Sequence, residues 1–136
     1  MSEGYLHGIL ISRLSDHLVA EYGDDLDVIL LDVPGARAVD KPPKIDRFFP
    51  DVWAQSKRRI LLGEAKTALD LETQHTSDQL KCFLSHVNLS PTGSKLVLAV
   101  PGFAAPRAKQ LISALANAAN IESSRWHVLA AEAFTT

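Results

Sequence analysis

Leu6, Leu10, Leu14 and Leu18, with Ile11 and Val19 one step over, recur at helical spacing through residues 4–22, and Gly23 closes the run. This pattern predicts an amphipathic first helix. The period then changes. DVILLDV (27–33) is a short apolar run, β-branched at intervals, that reads as a strand. PGARAVDKPPKID (34–46) holds three prolines and a glycine and predicts an irregular loop. RFFPDVWAQ and RRILLGEAK are strand-like runs separated by a polar Ser-Lys, for which a hairpin is the simplest connection. Helical spacing returns from Glu72 to Val87, with Leu80, Phe83, Leu84 and Val87 as a core stripe. KLVLAVP (95–101) predicts a strand buried on both faces. An Ala-rich helix over 104–119 tolerates Pro106 in its first turn, and RWHVLA (125–130) supplies a last strand.

The predicted order is α-β-β-β-α-β-α-β. A hairpin region followed by β-α-β crossovers implies one α/β domain over residues 1–136, with a central mixed sheet flanked by helices. Length supports this, since 136 residues are enough to bury a substantial core. Hydrophobic residues at 46% and charged residues at 22% fit an ordinary globular chain. The first residues lack the basic and small-residue features of a signal peptide, and no apolar run approaches the ~18 residues of a membrane span. Cys82 is the only cysteine, which excludes an internal disulfide and any multi-cysteine zinc site. A reducing, cytoplasmic location without membrane partners is the expectation. The net charge of −2 argues mildly against nucleic-acid binding through a global field. Locally, however, Lys41, Lys44, Arg47, Lys57, Arg58 and Arg59 cluster in and around the hairpin.

The hairpin also carries the chemistry. Along a strand Glu64 and Lys66 share one face while Ala65 takes the other. With the turn centred between Lys57 and Arg58, Asp51 lies across from Glu64, at the roughly 5 Å between Cβ atoms of cross-strand neighbours. Two carboxylates so placed repel unless a cation lies between them, and a hard divalent ion such as Mg²⁺, with Mn²⁺ as substitute, is the natural resolution. The Ala65 carbonyl adds a further hard ligand. Lys66, one pleat along, is positioned to orient water or stabilise developing negative charge. These parts suit phosphodiester hydrolysis.

Pro50-Asp51, twelve intervening residues and Glu64-Ala65-Lys66 resemble the PD-(D/E)XK nuclease superfamily, the restriction-endonuclease-like fold. Its α-β-β-β-α-β core places the acids and lysine on the second and third strands, and the resemblance covers residue 4 to about residue 100. It implies metal binding by Asp51 and Glu64, catalysis by Lys66, DNA as partner and possible homodimers. Gln79 and Phe83, in QLKCF, occupy the places of a Gln-x-x-x-Tyr motif in RecB-like and λ-exonuclease-like branches, with Phe83 replacing the tyrosine. Gln79 is therefore a candidate site residue and Phe83 a core residue. On the first helix, alignment with resolvases puts His7 where they carry an acid, so His7 is a candidate metal ligand and Glu3 its competitor. His75 reads as surface, and Asp16, His17, His86 and His127 receive no role. The leading expectation is a Mg²⁺-dependent deoxyribonuclease. The alternative is an inactive domain of the same fold that binds nucleic acid or serves assembly.

Overall fold

The computed structural model of the chain describes residues 3–131. Helix α1 (Glu3–Tyr22) precedes strand β1 (Val28–Leu31), and β2 (Val52–Gln55) and β3 (Ile60–Ala65) follow the proline-rich loop. Helix α2 (Gln74–Asn88), β4 (Lys95–Pro101), α3 (Ala105–Ala118) and β5 (Trp126–Ala131) complete the order. The strands form one mixed sheet in the order β1-β2-β3-β4-β5. The first two pairings are antiparallel and the last two parallel, as a hairpin followed by helical crossovers requires. No described helix is long and apolar enough to cross a membrane.

Two apolar layers sandwich the sheet. Leu10, Ile11, Leu14 and Leu18 of α1 pack on Val52, Ala54, Leu61, Ala65, Val97 and Ala99. On the other face Leu80, Phe83, Leu84 and Val87 of α2 and Ala108, Ile112 and Ala116 of α3 cover Leu62, Leu96 and Leu98. Alternate residues of β4 thus enter opposite layers, which is why that strand is apolar throughout. Phe83 is fully buried, and its truncation to alanine belongs to the class that costs about 3–5 kcal/mol. Val19, by contrast, is exposed although it was expected in the α1 stripe. At 3.6 residues per turn it stands well around the helix from Leu14, off the buried arc.

The hairpin register pairs Val52 with Gly63, Trp53 with Leu62, Ala54 with Leu61 and Gln55 with Ile60. The turn is centred between Lys57 and Arg58, as expected. The Ser56 hydroxyl accepts hydrogen bonds from the Arg58 and Arg59 amides at 3.0 and 3.1 Å, and the Ser56 amide donates to the Arg59 carbonyl. Neither turn residue has positive φ, so this hydroxyl replaces the glycine-dependent geometry common in two-residue hairpins.

Several boundaries differ from expectation. Residues 48–50 are not strand: Ile45 and Phe48 close a tight turn on themselves through Asp46 at φ 56°, and Pro50 has no N–H for a ladder. Strand β1 is shorter than 27–33, although the Asp27 and Asp32 amides still bond to Gln55 and Asp51 carbonyls. Asp70–Glu72 form a 3₁₀ turn, and α2 begins only after Thr73, whose hydroxyl caps the Thr76 amide. The basic cluster is divided. Lys57, Arg58 and Arg59 sit at the turn end of the hairpin, while Lys41, Lys44 and Arg47 lie at its open end.

Gly63 sets how closely α1 approaches the sheet. A Cβ there would come within 2.6 Å of Leu14 Cδ2 and 3.0 Å of Val52 Cβ. Gly63→Ala is expected to destabilise the fold by about 1–3 kcal/mol through overpacking, measured as a lower denaturant midpoint at unchanged m-value. An unchanged or higher midpoint would show that α1 yields freely.

Candidate active site

The hairpin ladder opens one rung beyond Val52 and Gly63. Continued, the register would set Asp51 against Glu64 and Pro50 against Ala65. Pro50 cannot donate to Ala65, so the rung is left open. The Asp51 carboxylate enters the gap and accepts the Ala65 amide at 2.8 Å through Oδ2, and the Asp51 amide donates to Glu64 Oε1 at 3.1 Å. Each acid is thereby fixed to the strand that bears the other. Paired backbone N–H and C=O groups face the same neighbour, so the Ala65 carbonyl shares the Asp51 side of β3.

Helices from both layers converge on this fork. His7 stands two turns before Leu14 on the buried arc of α1, which aims its ring at the sheet; its Nε2 lies 3.2 Å from Asp51 Oδ2. From the opposite layer, buried Gln79 of α2 accepts a short hydrogen bond from the Lys66 ammonium. Lys66 Nζ also lies 3.5 Å from Glu64 Oε2. Asp51, Glu64, Lys66, Gln79 and His7 thus come together, with the Ala65 backbone beside them. Glu3 lies on the first turn of α1, and its side chain is outside the described residues. His75 is exposed and makes an edge contact with Phe48.

Asp70 had no place in the sequence reading. The Thr67 amide donates to Asp70 Oδ2 at 3.2 Å while the Asp70 amide donates to Thr67 Oγ1 at 3.3 Å. This reciprocal pair, carried by Thr67-Ala68-Leu69-Asp70, fixes the chain directly after Lys66. Its Thr-x-x-Asp spacing resembles a capping box and was the available signal.

Burial works against charge on both acids, yet their responses diverge. Asp51 is pulled below the ordinary carboxylate range, because hydrogen bonds to His7 and Glu64, the His7 charge and the Ala65 amide outweigh desolvation. Glu64 is pushed well above it by full burial, with the Asp51 charge adding to the effect and Lys66 only partly offsetting it. His7 is raised by its hydrogen bond to Asp51, with burial opposing. The geometry therefore holds one ionised acid beside one that favours its proton, as two closely placed carboxyls in a buried site do.

Among the described residues, no three His, Cys, Asp or Glu side chains stand in a grouping already arranged for a metal. The donors nonetheless suit a hard divalent cation: two carboxylates, a carbonyl on the same side and an imidazole. A cation would also relieve the penalty that Glu64 bears. No known family model, curated protein or solved structure matches the chain.

The Glu64 shift carries a sign. Its folded pKa is raised, so its stabilising contribution is complete below the unfolded value near 4.5 and is lost as pH rises through the folded value. Without metal, Glu64→Gln should therefore melt above the native protein at pH 8 and lose that advantage towards pH 4. His7, also raised, gives stability below its unfolded value of 6.5 that fades as pH rises through the folded value. His7→Ala should cost most at acid pH. Melting curves across this range in EDTA measure both, and a pH-independent Glu64→Gln difference would contradict the assignment.

Proposed function

We propose that the protein is a metal-dependent nuclease that hydrolyses DNA phosphodiesters at the fork between β2 and β3, on a restriction-endonuclease-like variant of its α/β fold. The observation that carries this reading is the convergence of Asp51, Glu64 and Lys66, both carboxyls buried, in one ionisable cluster at an open rung. Packing alone would fill such positions with apolar side chains. Burying two carboxyls beside a partly buried lysine is costly unless they are paired, and a functional role accounts for keeping them.

Asp51 and Glu64, with the Ala65 carbonyl, would hold Mg²⁺ or Mn²⁺, and His7 would either join them or orient Asp51 through its hydrogen bond. The ion, when bound, supplies acidification of water and compensation of phosphoryl charge. Lys66 places a cation beside the acids, where it can orient the attacking water and stabilise negative charge developing on the phosphate. Gln79 holds the Lys66 ammonium in place from α2. The Thr67–Asp70 turn fixes the backbone that follows.

Lys66→Ala should retain the fold and lose about 10²–10⁴-fold in cleavage rate, the range for one electrostatic or proton-transferring group. Gln79→Ala, which removes the acceptor rather than the cation, should lose less. Rates are to be measured on labelled DNA with Mg²⁺ or Mn²⁺, beside an EDTA control. A Lys66→Ala enzyme of native rate would remove the lysine from the mechanism.

A further inference from the structure

The end of the sheet that bears the acids also bears every exposed phenylalanine and tyrosine among the described residues. Tyr5 lies two positions before His7, and Phe49 two before Asp51. Phe103 lies two positions beyond β4, the strand whose Ala99 pairs with Ala65. Phe49 is 52% exposed and Phe103 78%. Leu69, three residues after Lys66, is similarly open. Single exposed apolar residues need no explanation, but several gathered around one charged cluster do. Two cations lie on the Phe49 side of this rim. Lys44 Nζ lies 5.9 Å from the Phe49 ring centroid, and the Arg47 guanidinium 5.0 Å from that of the neighbouring Phe48.

Ring faces beside cations are what a strand of unpaired nucleotides requires. Bases stack on the rings and phosphates meet the cations. A continuous duplex offers its phosphates but not its base faces, which are already stacked on one another. We propose that this rim binds unpaired nucleotides, so that the substrate is single-stranded DNA or the splayed arm of a branched duplex. Phe49 and Phe103 act as stacking platforms on either side of the Asp51–Lys66 cluster, and Lys44 contacts phosphate. The position of the cut rests on the nuclease reading; the binding does not.

Fluorescence anisotropy with Ca²⁺ in place of Mg²⁺ tests the binding on three probes: labelled oligothymidylate, a forked duplex and a blunt duplex. The native protein should bind the first two roughly tenfold or more tighter than the third, and Phe49→Ala and Phe103→Ala should each weaken them by roughly five- to a hundredfold, the span for losing one stacked base. Phe49→Trp should restore binding, with its indole emission quenched by oligothymidylate. Equal affinity for the blunt duplex, or alanine variants that bind like the native protein, would overturn the proposal. Cleavage of the same probes with Mg²⁺ separates the two readings. Phe-dependent binding with no cutting of any probe would defeat the nuclease and leave the rim standing. Cutting of the blunt duplex as fast as the single strand would defeat the rim and leave the nuclease standing.

Discussion

Two carboxylates held in the mouth of a two-stranded ladder are the constraint around which the rest of this structure is organised. Asp51 takes the amide that an unbroken rung would use, and Glu64 takes the amide of Asp51. Pro50 has no N–H to donate to the Ala65 carbonyl, so the ladder does not continue past Val52. The cost of this arrangement is the burial of a second acid beside the first, visible in the raised affinity of Glu64 for a proton.

The remaining architecture limits that cost. His7 from one helical layer and the Lys66–Gln79 pair from the other bring positive charge and donors to opposite sides of the fork. Their reach depends on close packing. Gly63 lets α1 settle on β3, and the buried stripe of α2 carries Gln79 on the same arc as Phe83. Hydrophobic layering therefore sets the positions of the polar groups, and the polar groups alone would not hold them.

Much of this was legible in the sequence because two periods do most of the specifying. Period two placed Glu64 and Lys66 together, and the Lys57–Arg58 turn centre fixed the register that brings Asp51 to Glu64. What escaped were effects that periodicity does not encode. The strand ended at Val52 because Pro50 and the left-handed Asp46 redirect the backbone. The basic residues looked like one cluster along the chain, yet the hairpin carries half of them to its far end. The meeting of His7 with Asp51 depends on the depth at which α1 packs, which spacing along the helix suggests but does not determine. Asp70 was missed because its role is to fix the chain beside Lys66 through a short reciprocal turn.

The central claim is that the Asp51–Glu64 pair is built for a cation. Thermal melts of the native protein and of Glu64→Gln, titrated with Mn²⁺ and repeated with a non-cleavable oligonucleotide, test it most directly. Binding to the folded state alone should stabilise the native protein by about 2.7 kcal/mol at a hundredfold excess over the dissociation constant, and Glu64→Gln should lose most of that gain. A native protein whose melting temperature does not move with Mn²⁺, with or without oligonucleotide, would contradict the account and favour an inactive module.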